Sequence, residues 1–288
     1  MRRIFFLLFC FCCLTLVAQE LTVGSYNIRY KNRGDSIRGN GWQERCPSIC
    51  NQLLWERPDI FGAQEVLHAQ LLDMEKGLKT YRWIGVGRDD GQQAGEYAAI
   101  FYNPQRVELI EEGHFWLNET PDRPALGWDA ACVRICMWGH FRDRLTQQDF
   151  YFLNLHMDHV GVKARRESAK LVMQRITAMT DGGKKLAVLT GDFNVPQTDE
   201  LYGLFTQSGV LKDCYTEARE RFVENGSFNS FHTQAYTTER IDHIFVTPKT
   251  AVDAFAIRTD SRWREDKDGQ WTCRVLSDHY PLFARIRF

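Results

Sequence analysis

The sequence has almost no excess of charge of either sign. It carries 36 lysines and arginines against 37 aspartates and glutamates, which gives a formal net charge of −1. A protein that binds nucleic acid along its backbone is expected to have a strongly basic face, because each neutralised phosphate needs a cation. The near-neutral balance therefore argues against general nucleic-acid binding. The clearest basic pairs are Arg165 with Arg166, Lys184 with Lys185, and Arg262 with Arg264.

Long apolar runs are also scarce, and the one long run lies at the start of the chain. Residues 1–18 place two arginines before an apolar stretch that ends in Ala18, which is typical of a secretory signal peptide. The stretch is shorter than the roughly 20 residues that a transmembrane helix needs, and no later segment is apolar enough to serve. We therefore predict export to the periplasm or the medium of a bacterial-type cell, with cleavage near Ala18. Retention of the leader as an anchor is the alternative. Cleavage of the leader would remove Arg2 and Arg3 but no acidic residue, so the formal net charge would change from −1 to −3.

Cysteine spacing gives no sign of a zinc site. Three of the nine cysteines lie in the leader, and the six that remain are Cys46, Cys50, Cys132, Cys136, Cys214 and Cys273. Two pairs are four residues apart, and neither pair has the spacing or the neighbouring histidines of a zinc site. An even number suits an oxidising compartment. Buried free thiols are the alternative, because cysteine is also a small apolar residue.

Residues 19–288 are predicted to form one domain. About 270 residues with 44% hydrophobic and 13% aromatic content can bury a large single core. The predicted strands are residues 21–29, 59–64, 83–86, 98–102, 107–117, 133–141, 150–155, 185–189, 241–247, 251–257 and 282–288, and the predicted helices are 42–55, 67–78, 163–179 and 200–207. Hairpins outnumber βαβ units, so we expect an α+β fold of two mostly antiparallel sheets packed face to face, with the helices outside.

One apolar run leads directly into polar residues, at KLAVLTGDFNVPQTD from Lys185 to Asp199. The run has the composition of a core strand, and a turn with glycine and proline ends it. Asp192 and Asn194 therefore lie at the end of a strand. Side chains two apart on extended backbone point the same way, so this carboxylate and this amide can address one atom, such as a water oxygen. An ordinary Asp/Asn turn is the alternative.

Short polar motifs end other apolar runs in the same way. They are SYNIRY with Asn27, GAQEV with Glu65, NLHMDHVG with His156, RIDHIFV with Asp242, and LSDHYPLFARI with Asp278 and His279. Each motif alone is weak, but in this order they resemble the endonuclease/exonuclease/phosphatase superfamily. Its members are metal-dependent phosphoesterases such as DNase I, abasic-site endonucleases, inositol polyphosphate 5-phosphatases and neutral sphingomyelinases. The resemblance covers about residues 21–288. It implies a four-layer α/β/β/α sandwich with its site across one end of the two sheets.

The resemblance implies a divalent metal site with oxygen ligands. Glu65 matches the principal metal ligand of the family, and Asp278 is a candidate ligand of the same ion. Asn27 is expected to be a further ligand or a hydrogen-bonded neighbour of one. Carboxylate and amide oxygens are hard donors that suit Mg²⁺ or Mn²⁺. The alternative for Glu65 is a carboxylate favoured by the dipole at a helix N-terminus.

The resemblance also assigns the acid–base groups. His279 and Asp242 resemble a His–Asp pair in which the carboxylate fixes the imidazole tautomer and raises its basicity. Asp192 and Asn194 resemble the motif that orients the attacking water or stabilises the five-coordinate state. Either Asp192 or His279 could take the proton of the water, and this choice stays open.

A second histidine completes the implied catalytic set. His156 resembles the histidine that contacts a phosphate oxygen, and Glu96, in GEYAAIFYN, matches the carboxylate that orients it. A surface carboxylate on a strand is the alternative for Glu96.

Two features outside the shared motifs bear on substrate binding. Arg165 and Arg166 begin a predicted helix, where an arginine could bind a phosphate through two hydrogen bonds, although solvation of the helix face is the alternative. The second feature is the loop in HFWLNETPDRPALGWDAACVRICMW, where Trp116, Trp128 and Arg134 could form a pocket wall. Equally, the tryptophans could simply cover the sheet.

These observations predict a metal-dependent hydrolase that cleaves phosphate esters by attack of water at phosphorus. The predicted substrate is a small or medium phosphorylated compound, such as a sugar phosphate, an inositol phosphate or a lipid headgroup. An extracellular endonuclease similar to DNase I uses the same residues and is the first alternative, but the low basicity of the chain favours the small substrate. A non-catalytic binding module is the second alternative. It is disfavoured because every motif position holds a suitable residue type. The sequence leaves the oligomeric state open.

Overall fold

Two β-sheets pack face to face between layers of helices. The computed structural model describes residues 19–223, 225–234, 236–265 and 268–288. The predicted leader lies outside these residues. Among the helices of the described residues, none is long and apolar enough to span a membrane.

The secondary structure alternates between strands and a few helices. The strands are β1 Leu21–Asn27, β2 Ile60–Leu67, β3 Arg82–Ile84, β4 Glu96–Tyr102, β5 Val107–Trp116, β6 Ile135–Asp143, β7 Asp149–His156, β8 Leu186–Asp192, β9 Lys212–Asp213, β10 Glu220–Phe222, β11 Asp242–Val246, β12 Ala251–Ile257, β13 Ser261–Glu265, β14 Trp271–Val275 and β15 Leu282–Arg287. The helices are α1 Arg33–Ile37, α2 Trp42–Glu56, α3 His68–Gly77, α4 Val162–Met179, α5 Tyr202–Thr206 and α6 Cys214–Glu217.

The strands form two large sheets and one separate hairpin. The first sheet has the order β10-β12-β15-β1-β2-β4-β3, the second has the order β5-β6-β7-β8-β11-β9, and β13 pairs with β14. Three pairs are parallel, namely β1 with β2, β10 with β12, and β7 with β8. The other pairs are antiparallel. The predicted pair of mostly antiparallel sheets is therefore confirmed.

Apolar residues fill the interface between the two sheets and the interface between each sheet and its helices, which gives the four-layer sandwich. Between the sheets, Val23 and Ile100 of the first sheet belong to the same core as Phe152 of the second. Helices α2 and α3 cover the outer face of the first sheet, and α4 and α5 cover the outer face of the second. Burial of these faces is the main force that holds the layers together.

A buried polar network joins the two sheets directly beneath the polar strand ends. Asn154 of β7 accepts a hydrogen bond from Gln64 Nε2 at 2.6 Å and one from Thr190 Oγ1 at 3.2 Å. Its own amide donates to the carbonyl oxygens of Ala63 and Ala99 in the opposite sheet, at 3.1 and 2.9 Å. Because buried polar groups are costly when unpaired, this network fixes the position of one sheet on the other.

Some elements were not predicted, and the reason is their lack of an apolar face. Helix α1 has only five residues, too few for a helical period to show, and Asn32 caps it by accepting a hydrogen bond from the Asp35 N–H at 2.8 Å. In the β13–β14 hairpin the large apolar residues Trp263 and Trp271 are exposed, so the hairpin buries no continuous apolar face. All six described cysteines are free thiols, and three of them, Cys50, Cys136 and Cys214, are buried, so the alternative of buried free thiols is confirmed for those three.

Candidate active site

Strand register brings the predicted polar residues together at one end of the two sheets. His156 lies opposite Asp192 in the parallel pair of β7 and β8, and Asp242 lies opposite Asp192 in the antiparallel pair of β8 and β11. Asn27 ends β1 and lies opposite Gln64 of β2. Residues far apart in the sequence meet because these strands begin or end at the same rim.

A β-bulge in β2 directs Glu65 toward this rim. Between the pairs Ala63–Ala99 and Val66–Tyr97, two residues of β2 stand opposite one residue of β4. Glu65 has a φ of 60°, which is uncommon for a residue with a Cβ atom. Bulges often re-aim a side chain next to an active site. Glu65 thus reaches the site because the strand departs from regular pairing.

Asp192 lies at the centre of the site. Its Oδ2 accepts a hydrogen bond from Asn27 Nδ2 at 3.0 Å and lies 3.5 Å from His156 Nε2 and 3.6 Å from His279 Nε2. Burial, and then the negative charge of Asp242, raise the pKa of Asp192 to about 7. A carboxylate with a pKa near neutrality can accept a proton from water at that pH.

His279 and Asp242 form the predicted pair. His279 Nδ1 donates a hydrogen bond to Asp242 Oδ2 at 2.9 Å, and Phe228 packs edge-on against the imidazole with the ring centroids 4.9 Å apart. The backbone N–H of Asp242 donates to Ser227 Oγ at 3.1 Å, which fixes the backbone at the start of β11. Burial lowers the pKa of His279, but the charges of Asp242 and Asp192 outweigh burial and keep the pKa well above its ordinary value. The raised pKa favours the imidazolium form, whose Nε2–H can donate to a phosphoryl oxygen.

His156 and Asn194 lie on the other side of Asp192. Asn194 donates its backbone N–H to Asp192 Oδ1 at 3.0 Å, and its side-chain Nδ2 lies 3.0 Å from the carbonyl oxygen of Met157 and 3.2 Å from His156 Nε2. An amide nitrogen only donates, so Nε2 accepts and the proton of a neutral ring lies on Nδ1. Burial, and then the charge of Arg134, lower the pKa of His156 well below its ordinary value. Within the described part of the chain Nδ1 is buried and has no hydrogen-bond partner, while Nε2 is the nitrogen that faces Asp192.

Glu65 and Asp278 each turn one oxygen toward the same cationic group, Arg29. Arg29 Nη1 lies 3.8 Å from Glu65 Oε2 and 3.4 Å from Asp278 Oδ2. Glu65 also accepts hydrogen bonds from Asn27 Nδ2 at 3.0 Å and from the backbone N–H of Tyr30 at 3.1 Å. Burial raises the pKa of Asp278 above its ordinary value. Sequence reasoning missed Arg29, although SYNIRY contains it, because one arginine after a strand is ordinarily a solvated side chain.

The donor set fits a hard divalent cation. Two carboxylate oxygens that face one cationic nitrogen can share a metal ion, and Glu65, His156 and Asp192 each bring a ligand atom within 4.8 Å of the others. Asn27 directs its amide nitrogen at Glu65 and Asp192, while its oxygen accepts the Arg29 N–H at 3.0 Å. Asn27 therefore links the two carboxylates through hydrogen bonds, and both of its predicted roles at the metal site stay predictions.

Glu96 lies beside His156 without a hydrogen bond to it. Arg88 donates two hydrogen bonds to Glu96, from Nη1 to Oε2 at 2.6 Å and from Nη2 to Oε1 at 3.1 Å. Both side chains line a small cavity together with Arg134 and His156. The predicted bond from Glu96 to the histidine is thus not formed among the described residues, because Arg88 holds both carboxylate oxygens. A catalytic role for Glu96 stays a prediction.

Arg134 and Arg165 brace the loop next to the site. Arg134 is buried and donates from Nε to Asp158 Oδ1 at 3.2 Å, and its Nη2 lies 2.9 Å from His159 Nδ1. Arg165 Nη1 donates to the carbonyl oxygen of Asp158 at 3.0 Å. The Asp158 carboxylate also accepts backbone N–H groups of Ala131, Cys132, Val160 and Gly161. These contacts account for both arginines structurally, and their contact with substrate stays a prediction.

The two tryptophans of the long loop differ. Trp116 is 6% exposed, and its Nε1 donates to the carbonyl oxygen of Arg88 at 2.7 Å, so it covers the sheet. Trp128 is half-buried, with a φ of 53°, and its backbone N–H donates to the Glu119 carboxylate at 3.2 Å. Trp128 therefore stays the candidate for a pocket wall.

The chain matches a family model described as the Endonuclease/Exonuclease/phosphatase family over residues 24–279. A solved structure of a mannosyl-6-phosphatase from Bacteroides thetaiotaomicron VPI-5482 is 46% identical, with a TM-score of 0.90 over 93% of this chain and 100% of that chain. TDP2 from D. rerio, solved with a single-strand DNA product, is 16% identical, with a TM-score of 0.66 over 93% of this chain and 99% of that chain. At that identity the likeness shows the fold alone.

A curated relative is protein L388 of Acanthamoeba polyphaga mimivirus. It is 31% identical over 160 residues, which cover 53% of this chain and 59% of L388. The alignment thus spans less than two thirds of that relative.

Proposed function

The chain belongs to the endonuclease/exonuclease/phosphatase family of metal-dependent phosphoesterases, and we propose that it hydrolyses a compact sugar phosphate with Mg²⁺ or Mn²⁺. The observation that carries the proposal is the set of contacts at Asp192 Oδ2. This single oxygen faces the amide of Asn27 and the imidazoles of His156 and His279 at 3.0, 3.5 and 3.6 Å. A carboxylate that can accept a proton thus lies next to His279, whose Nε2–H can donate one, and next to the unprotonated Nε2 of His156.

Phosphoester hydrolysis uses a proton acceptor and hydrogen-bond donors placed close together. The reaction needs a group that orients or deprotonates water, and donors that stabilise charge on the phosphoryl oxygens. In the proposed reaction the oxygen of a water bonds to phosphorus as its proton passes to Asp192, and the P–O bond to the sugar breaks. The departing oxygen takes up a proton from solvent water and Asp192 releases its proton to the same solvent, so a free hydroxyl group and inorganic phosphate are released. His279 donates its Nε2–H to a phosphoryl oxygen, and the contact of His156 with another phosphoryl oxygen stays a prediction.

The metal assignment follows from the carboxylates. Glu65 and Asp278 would hold the divalent cation, whose charge neutralises phosphoryl oxygens when it is bound. Their oxygens are hard donors, and both already face one positive charge, that of Arg29.

Two observations favour a compact sugar phosphate over a nucleic acid. The relative at 46% identity is a mannosyl-6-phosphatase and is covered over its whole length. The near-neutral net charge, −1 for the full sequence, does not favour binding along many backbone phosphates.

An assay panel tests the proposal. The purified protein is given sugar phosphates, a small phosphodiester and supercoiled plasmid DNA, each with Mg²⁺ and with EDTA, and Asp192→Asn serves as the matched inactive control. We expect kcat/KM for a sugar phosphate to exceed that for duplex DNA by at least an order of magnitude, with little salt dependence. For a nuclease, the logarithm of the binding constant for duplex DNA instead falls with the logarithm of the salt concentration, with a slope of about −0.9 for each phosphate contacted. Efficient plasmid nicking with a steep salt slope would replace the proposal with the endonuclease alternative.

We also propose that the protein is exported by residues 1–18. The support is the pair Arg2 and Arg3 before the apolar stretch of the leader. Cell fractionation tests this, with a variant that carries Arg2→Glu and Arg3→Glu as the control. We expect the unaltered protein in the periplasm or the medium, with a new N-terminus near Gln19. Full-length protein in the cytoplasm would contradict export.

A further inference from the structure

Arg29 places one positive charge among three carboxylates of the site. Its Nε donates to Asp35 Oδ2 at 2.9 Å, while Nη1 lies 3.4 Å from Asp278 Oδ2 and 3.8 Å from Glu65 Oε2. The first contact is a well-formed hydrogen bond, and the other two are longer than one ordinarily is. The guanidinium is therefore anchored at Asp35, and its terminal nitrogen is held near the other two carboxylates mainly by charge.

The backbone directs this side chain into the site. Arg29 has a φ of 60°, in the left-handed region that residues with a Cβ atom seldom adopt. Its N–H donates to Asn27 Oδ1 at 3.0 Å, and its carbonyl accepts from Arg45 Nη2 at 3.0 Å and from Gln70 Nε2 at 3.1 Å. Uncommon backbone conformations persist where the surroundings impose them, often at functional sites. The position of Arg29 is thus determined by several partners.

The side chain retains some freedom despite these anchors. The Arg29 side chain is 26% exposed, whereas the side chains of Asp278 and Glu65 are 7% and 11% exposed. The guanidinium carbon of Arg29, Cζ, also lies over the ring of Tyr30, 4.8 Å from the ring centroid. A guanidinium supported on one side and bonded through Nε can turn its terminal nitrogens without leaving the site.

We propose that Arg29 is a substrate-positioning residue that a divalent cation displaces from Glu65 and Asp278, and that its freed terminal nitrogens then bind a phosphate oxygen of the substrate. This inference rests on the proposed function, because it takes Glu65 and Asp278 as the metal ligands. The charge of Arg29 holds the two carboxylates together and competes with the cation for them. Once the cation binds, repulsion between like charges favours the turn of Arg29 toward the phosphate. The planar fork of arginine suits two phosphate oxygens.

Two separate measurements test the two parts of the inference. Calorimetry gives the affinity for Mn²⁺, and a second titration gives the affinity for inorganic phosphate in saturating Mn²⁺. Arg29→Met removes the charge and keeps most of the apolar stem. We expect it to bind Mn²⁺ about tenfold more tightly than the unaltered protein and to bind phosphate about tenfold more weakly. Unchanged or weaker Mn²⁺ binding would overturn the displacement, and unchanged phosphate binding would overturn the positioning role.

Two variants provide matched comparisons. Arg38→Met removes another arginine that binds Asp35, at 2.6 Å, on an exposed side chain, and it should leave both affinities unchanged. Arg29→Lys keeps the charge but loses the fork, so Mn²⁺ affinity should stay within about twofold and phosphate affinity should fall. Arg29→Lys also decides the phosphate question if Arg29→Met does not fold. Phosphate affinity equal to that of the unaltered protein would then overturn the inference.

Glu65→Gln separates this inference from the function on which it rests. If Glu65→Gln binds Mn²⁺ as tightly as the unaltered protein does, the metal site itself is wrong and both proposals fail. If Glu65→Gln loses Mn²⁺ binding while Arg29→Met leaves the affinity unchanged, the metal site stands and only the role of Arg29 is overturned.

Discussion

His279 Nδ1 and Asp242 Oδ2 lie 2.9 Å apart, and their hydrogen bond directs the other nitrogen of the ring toward Asp192. The carboxylate fixes the orientation of the imidazole ring and stabilises its positive charge. Asp242 begins β11 of the second sheet, whereas His279 lies between β14 and β15, so the pair joins two distant parts of the chain.

Asp242→Asn and His279→Ala should each reduce turnover on the order of 100-fold or more, because each removes an acid–base group or its support. The measurement is kcat for a sugar phosphate, with circular dichroism to check the fold. His232→Ala changes an exposed histidine and should leave kcat unchanged. Near-normal turnover in either site variant with an intact fold would show that this pair takes no part in the reaction.

Asp192→Asn should lose turnover to a similar extent, on the order of 100-fold, yet gain stability at alkaline pH in a chelator. The pKa of Asp192 is about 7 in the folded protein against a reference value of 3.8, so the folded state binds the proton more tightly. Stability is therefore lost as pH rises from about 4 to about 7, by roughly 4 kcal/mol at most. Asparagine does not titrate. In urea unfolding, the free energy of unfolding of Asp192→Asn relative to that of the unaltered protein should increase between pH 4 and pH 8. A difference that does not change with pH would contradict the raised pKa of Asp192.

Activity should disappear in EDTA and return with Mg²⁺ or Mn²⁺. Glu65→Gln should weaken cation binding by at least about tenfold, because a neutral amide replaces a charged ligand. Calorimetric titration with Mn²⁺ measures this directly. Glu111→Gln, an exposed change on β5, is the matched control and should bind as the unaltered protein does. Full activity after exhaustive chelation would refute the requirement for a metal ion.

Asp158→Asn should destabilise the protein, because Asp158 joins the long loop to the start of α4. Burial opposes ionisation, but the hydrogen bonds from Gly161 and other N–H groups, with the charge of Arg134, lower the pKa of Asp158 to about 2. The ionised Asp158 carboxylate thus contributes to the stability of the folded protein above about pH 4, and this contribution is lost as pH falls through about 2. The shift corresponds to about 2 kcal/mol at neutral pH.

Urea unfolding at pH 7 checks that loss, and Asp122→Asn, an exposed change in the same loop, should have little effect. Equal stability of Asp158→Asn and the unaltered protein would show that the loop is held by other contacts.

Sequence patterns predicted the long elements well and the short polar ones poorly. The apolar period of α4 and the apolar run of β8 are strong local signals, and both elements lie where the pattern indicated. Helix α1 and the β13–β14 hairpin escaped prediction because neither buries a continuous apolar face. Periodicity records burial, so elements that bury little leave little pattern.

The sequence by itself determined the fold class, the strand ends and the residue types placed there, including Asp192, His156 and Asp242. These follow from local composition, because an apolar run and the polar residues that end it are adjacent in the chain. Only the tertiary structure decided which side chains touch. In the tertiary structure Glu96 is hydrogen-bonded to Arg88 rather than to His156, and Arg29 lies next to Glu65 and Asp278. Hydrogen bonds and pKa values depend on distances of about 3 to 4 Å through space, which strand register and a bulge set and sequence separation does not encode.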